Sequence, residues 1–182
     1  MKPLESITIL EFSTMITASL ASMMMAEQGA RVIKVEPMAM GDPMRYIGAR
    51  KADISALFAN CNRGKESLRI DLKSVEGVRV IKEMIPSVDI VIHNFRPGVM
   101  DKLGLGSETL RGINSKLIYA AISGFGTEGP MSSAPAYDPI IQHTLVSLLP
   151  KVRATNPHSC VRSCATRSRA TQPARPSRVR SS

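Results

Sequence analysis

Three segments of this chain carry side chains suited to holding a phosphorylated nucleotide. Asn60-Cys61-Asn62-Arg63-Gly64-Lys65-Glu66-Ser67 leads into a strand pattern that ends at Ile70-Asp71-Leu72-Lys73. Asn94-Phe95-Arg96-Pro97-Gly98, running on to Leu103-Gly104, follows a second strand pattern, and Gly124-Phe125-Gly126-Thr127-Glu128-Gly129-Pro130 follows a third, with Ala136-Tyr137-Asp138 behind it. Together they offer Lys and Arg for phosphate oxygens, an aromatic face for a base, and glycines where backbone must come close. The first strand-to-helix turn, Phe12 to Ser19, contains no glycine. A dinucleotide fingerprint needs glycines there to bring backbone to a pyrophosphate, so NAD or FAD binding of that kind is excluded, and no Walker loop occurs. His93 and His143 are isolated and receive no catalytic role. His158, Cys160 and Cys164 lack a fourth ligand, so no metal site is expected.

The elements that must position these segments alternate. Ser6 to Phe12 is short, β-branched and apolar, as a buried strand should be. An apolar helix then runs through Ala26 and closes at Gly29, before a second strand over Arg31 to Glu36. Met38 to Ala59 reads as a long connection. Further strands are expected over 67–72, 88–94 and 116–123. Helices are expected after Lys73-Ser74, with Val78, Ile81 and Ile85 on the apolar face, then near Val99 to Leu103, and from a Ser107 cap to about Arg111. Strand–helix alternation predicts an α/β fold, a Rossmann-like parallel sheet with flanking helices. In such a sheet ligands sit outside the carboxyl ends of the strands, where most of the three segments fall.

Composition divides the chain in two. The net charge is +9, which taken whole suggests a polyanionic partner. Eight of the 24 basic residues lie in 143–182, which has no acidic residue, leaving 16 basic against 15 acidic in 1–142. The basicity belongs to the tail. From Lys151 onward the chain is Arg, Ser, Pro, Ala and Thr without apolar periodicity, a composition expected to stay disordered. The domain reading is 1–142 folded and 143–182 an unrelated tail. The change is abrupt and cuts a helix that Asp138-Pro139-Ile140-Ile141-Gln142 starts, so a frameshift product is preferred to a genuine basic tail. A nucleic-acid role for the tail is disfavoured because it has no aromatics to stack bases. No signal peptide or bilayer-length apolar span is read, and the three cysteines form no disulfide framework. A cytoplasmic setting without membrane partners is the expectation.

The ordered set of motifs resembles the family III CoA-transferases, which include formyl-CoA transferase, the carnitine CoA-transferase and α-methylacyl-CoA racemase. The matching features are Val32-Ile33-Lys34-Val35-Glu36 with Gly41-Asp42, the Asn60–Lys73 block, Asn94-Phe95-Arg96-Pro97-Gly98, and Ile122-Ser123-Gly124-Phe125-Gly126-Thr127-Glu128-Gly129-Pro130. The resemblance runs from Leu4 to Gln142. It implies transfer of CoA from an acyl-CoA donor to a carboxylic acid, with acyl-CoA as substrate and no tightly bound cofactor. An aspartate attacks the donor thioester, passing through a mixed anhydride to an aspartyl-CoA thioester. By position, it places CoA contacts at Met15, Ile70, Lys73, Asn94, Phe95, Lys102 and Leu103, with both lysines near phosphates and Phe95 near the nucleotide. Taken singly, each lysine is an ordinary solvated side chain and Phe95 a loop anchor.

Departures from the family pattern bear on activity. Ile16-Thr17-Ala18-Ser19 replaces a small-residue Ala-Gly-Pro turn, and Pro37 stands where some transferases use a basic residue. The family's nucleophilic aspartate lies beyond the Tyr-Asp motif, and no Asp or Glu follows Asp138 here. No catalytic residue is therefore assigned. The expectation is a truncated, inactive transferase whose intact relatives form interlocked homodimers. The alternatives are a non-catalytic CoA- or nucleotide-binding module, or a racemase-like fragment. Tyr137 before Asp138, where racemases carry a His, disfavours the last.

Overall fold

The computed structural model describes residues 2–52, 54–132, 134 and 136. The chain divides into two units, Met1–Tyr137 and Asp138–Ser182. The first is described below. The Tyr137-Asp138 pair, the helix expected after it, His143 and the basic tail with its His and Cys residues lie outside the described residues.

Five parallel strands form the main sheet: β1 (Thr8–Phe12), β2 (Arg31–Glu36), β5 (Glu66–Arg69), β6 (Ile90–His93) and β7 (Ile118–Ala121). Their spatial order is β5-β2-β1-β6-β7, so the chain builds outward from β1 in one direction and then returns to build the other side. That reversal opens a crevice outside the carboxyl ends of β1 and β6, where α/β sheets place ligands.

Helices cover both faces. α1 (Thr17–Glu27) packs Ala18, Ala21 and Met25 against Ile9, Val32 and Ile92. On the opposite face, Val78 and Ile81 of α3 (Val75–Met84), Met100 of α4 (Val99–Lys102) and Leu110 of α5 (Ser107–Ile113) meet Leu10, Phe12, Ile33, Val35 and Val91. Strand side chains alternate between faces, which assigns Leu10 and Phe12 to one core and Ile9 to the other.

The expected alternation is present, with three adjustments. The 38–59 connection contains a 3₁₀ turn over Pro43–Tyr46, a two-stranded hairpin of β3 (Arg50–Lys51) and β4 (Ile54–Ser55), and the start of α2 (Ala56–Asn62). Ser55 caps α2 by accepting the Phe58 N–H at 3.0 Å, and Asp42 accepts the Met44 N–H at 2.9 Å, so short polar residues start structure that apolar periodicity does not register. Ser107, expected as a helix cap, is the first residue of α5, and Gly106 takes the cap position without a side-chain bond. Finally, β5 ends at Arg69, which moves Ile70 and Leu72 into the loop before α3.

Gly77 is required where it stands. A β-carbon there would lie 2.0 Å from the Asp71 carbonyl oxygen, so the loop after β5 can fold onto the first turn of α3 only against glycine.

Candidate functional site: the switch-point loop and a cleft at α3

The loop between β1 and α1 occupies the crevice at the strand reversal. Lacking glycine, it reaches its shape through Met15, which adopts a left-handed conformation (φ 64°) that costs a side-chain-bearing residue energy. Two outside side chains hold it there. Asp42 Oδ1 accepts the Met15 N–H at 3.3 Å. Asn94, at the carboxyl end of β6, accepts the Thr14 N–H at 3.0 Å and donates to the Thr14 carbonyl at 2.6 Å and to Thr17 Oγ1 at 3.0 Å. The Asn94 carboxamide is thus engaged as a clamp on the loop. Met15 is 37% exposed, so its side chain is open to solvent.

Beneath the loop lies a cluster of buried charge. Lys34 Nζ meets Glu11 Oε1 at 2.8 Å and Asp42 Oδ2 at 3.0 Å, while Lys65 Nζ meets Glu11 Oε2 at 2.7 Å. All four side chains are at most 2% exposed. Lys34 also donates to Ser13 and Ser19, and Lys65 to the Ser19 carbonyl and Asn62 Oδ1. Among the described residues Asp42 Oδ2 accepts no hydrogen bond, and its contact with Lys34 there is coulombic.

Burial pushes the Glu11 carboxyl up, but the Lys34 and Lys65 ammoniums together outweigh that and hold it below its ordinary value. Lys65 is pulled down by burial, against the attraction of Glu11. Glu36 faces burial too, but is held down to about 2 by hydrogen bonds from Arg45, the Asp42 N–H and Ser67. Arg45 completes that arm by stacking 3.8 Å over the Phe58 ring. The result is a polar floor under the loop in which each of these buried charges faces a countercharge.

A second feature lies on the α3 face of the sheet. A cleft of about 710 Å³ is walled by the β5–α3 loop, one side of α3, and the end of α4. Lys73, Lys82 and Lys102 contribute cations, and Leu72, Val75, Val78 and Leu103 contribute apolar wall. Val75 is 88% exposed and adds open apolar surface to this wall. Arg79 also lines the cleft but is engaged by Glu76 and Glu83.

Of the seven residues expected to contact a ligand, Lys73, Lys102 and Leu103 line this cleft, brought together from the β5–α3 loop and the end of α4. Met15 and Asn94 meet instead at the switch-point loop. Ile70 and Phe95 pack their side chains on the core, with Phe95 tilted against the His93 ring at 6.3 Å. Burial lowers the His93 pKa, offset in part by Asp101, and Nδ1 accepts the Phe95 N–H at 3.3 Å. Its place is structural.

Sequence reasoning missed Val75 and Lys82, although the spacing 75, 78, 79, 82 marks one helical side. It also missed the Glu11–Lys34–Lys65–Asp42 cluster, which no local pattern announces. Among the described residues, no group of three or more His, Cys, Asp or Glu is placed to hold a metal ion. Nor is any described helix long and apolar enough to cross a membrane.

The sequence model of CoA-transferase family III matches residues 4–157. This chain belongs to that family. Among family III relatives, it is 40% identical over 140 residues to the acetyl-CoA:oxalate CoA-transferase of Acetobacter aceti, covering 77% of this chain and 36% of that protein. It is 38% identical over 141 residues to the succinyl-CoA:glutarate CoA-transferase of Mus musculus, covering 77% and 32%. The chain therefore spans about a third of the length of the curated relatives it matches.

Solved structures agree on the fold. The CAIB/BAIF family protein from Brucella suis superposes with a TM-score of 0.74 at 35% identity, over 79% of this chain and 39% of that one. Rv3272 from Mycobacterium tuberculosis gives 0.75 at 32% identity, over 86% and 43%.

Proposed function

We propose that residues 1–142 form the Rossmann-like, CoA-binding part of a transferase that moves CoA from an acyl-CoA donor to a carboxylic acid. The supporting observation is the convergence of Lys73, from the β5–α3 loop, with Lys102 and Leu103, at the end of α4, on one cleft. Ammonium groups there suit phosphates, the apolar wall suits a base, and the loop at Met15 suits the thioester end. The relatives named for oxalate and glutarate support a small carboxylic acid as acceptor.

In that reaction an aspartate carboxylate attacks the donor thioester carbonyl and expels the CoA thiolate. The thiolate then attacks the aspartyl carbonyl of the mixed anhydride, releasing the donor acid and leaving an aspartyl-CoA thioester. The acceptor carboxylate attacks that thioester and expels the CoA thiolate, and the thiolate attacks the acceptor carbonyl of the second mixed anhydride, giving the new acyl-CoA and freeing the aspartate. No Asp or Glu follows Asp138, where the family nucleophile falls, so this chain by itself binds CoA without turnover and the full reaction needs a carboxylate from elsewhere. In this reading the complete enzyme is a homodimer, and it works in the cytoplasm.

Titration calorimetry with the 182-residue chain tests binding, and an acyl-CoA/carboxylate exchange assay tests turnover. Saturable CoA binding with no exchange is expected. A folded chain that fails to bind CoA refutes the reading, and exchange by the chain alone refutes the missing nucleophile.

A further inference from the structure

α3 presents Val75, Val78, Arg79 and Lys82 along one side, and that side forms a wall of the cleft. The four differ in what they can still do. The Arg79 guanidinium is already held by two carboxylates, Glu76 and Glu83, which also neutralises the acidic side chain lining the cleft. Lys82 makes no ion pair among the described residues. It is half-buried, whereas Lys73 and Lys102 are exposed. Its Nζ reaches across to the turn after α4, where a β-carbon at Gly104 would be 3.6 Å away. A partly desolvated ammonium confined between a helix and a turn binds an anion more strongly than a free surface lysine.

Position along α3 decides which anion. Lys73 stands before α3, close to the carboxyl end of β5. Lys82 lies seven residues beyond the first residue of α3, about 10 Å along the helix at ~1.5 Å per residue. The helix runs antiparallel to the strands, so Lys82 is displaced away from their carboxyl ends and from the switch-point loop. In CoA, the pyrophosphate joins the ribose to the pantetheine arm. The 3′-phosphomonoester hangs from the ribose at the end remote from the thioester and carries close to two negative charges at neutral pH.

We propose that Lys82 binds this 3′-phosphomonoester and makes the cleft selective for CoA over dephospho-CoA, with Lys73 serving the pyrophosphate. The assignment rests on the CoA-binding reading above. It adds a specificity residue that the positional comparison with the family did not supply.

Calorimetric titration of the 182-residue chain with CoA and with dephospho-CoA tests it, using the wild type and the K82Q, K82R and K73Q variants. The wild type should prefer CoA by about tenfold or more. K82Q should reduce that preference to about twofold or less through lost CoA affinity alone, leaving dephospho-CoA binding unchanged. K82R should restore most of it, and K73Q should weaken both ligands alike. If K82Q binds CoA with the wild-type preference, or weakens both ligands equally, the assignment is overturned while CoA binding stands. If folded wild-type chain binds neither ligand, the CoA reading itself is overturned and this inference with it.

Discussion

Glu11 and Lys34 face each other as register partners on β1 and β2, with carboxylate and ammonium 2.8 Å apart and both side chains buried. The pair occupies the covered face of two central strands, where Ile9 and Val32 are their apolar neighbours. Glu11 serves two lysines at once, since its other oxygen meets Lys65 from the residue before β5. Desolvated charge of this kind is tolerable only while every partner is present.

That arrangement ranks the cost of breaking it. Glu11→Gln leaves two buried ammoniums without their shared countercharge and should destabilise the fold by about 3–5 kcal/mol. Lys65→Met leaves the Glu11–Lys34 pair intact and should cost clearly less. Urea denaturation of both variants measures the difference, and equal losses would show that Lys65 matters as much as the pair beneath it.

Acid should unfold the protein through the same region. Glu36 is held at about 2 against an ordinary value of 4.5, so its contribution is complete above the unfolded value and is lost as pH falls toward 2. The stability at stake is on the order of 3 kcal/mol, with Glu11, also held low, adding in the same direction. Thermal melts from pH 6 to pH 2 should fall steadily below about pH 5. Glu36→Gln should melt lower at pH 7 and show a shallower decline.

Two glycines should respond oppositely to alanine. Gly77→Ala drives a β-carbon onto the Asp71 carbonyl and should cost more than about 2 kcal/mol, with weakened ligand binding as the Lys73 loop shifts. Gly112, within α5, has nothing within 4 Å of an added β-carbon, and Gly112→Ala should stabilise by about 0.4–1 kcal/mol. Melting temperatures of the two variants read the contrast directly.

Asn94 should prove to be a clamp. Asn94→Ala removes the acceptor for the Thr14 N–H and both donated bonds to the loop. Amide exchange at Thr14 and Met15 should accelerate, with a stability loss of about 1–3 kcal/mol. Unchanged exchange at those two amides would mean that Asp42 holds the loop unaided.

Read by itself, the sequence determined a good deal. The alternation of β-branched runs with apolar-striped helices specified an α/β parallel sheet, because each of those patterns is local and repeats within a few residues. Ser6–Phe12 and Arg31–Glu36 announced β1 and β2, and the ordered motifs pointed to the CoA-transferase family. Lys73, Lys102 and Leu103, which line one cleft, were singled out through that resemblance. The tertiary structure decided what those strands carry between their apolar residues. Glu11 and Lys34 lie 23 positions apart, and only pairing of β1 with β2 brings them into contact. Lys65 comes from 54 positions beyond Glu11 to join them. Whether Lys82 is a solvated lysine or a wall of the cleft likewise depends on where α4 ends, near Gly104. Periodicity reports which face of an element is buried, whereas a site is made by residues distant in sequence, and only folding sets their distances.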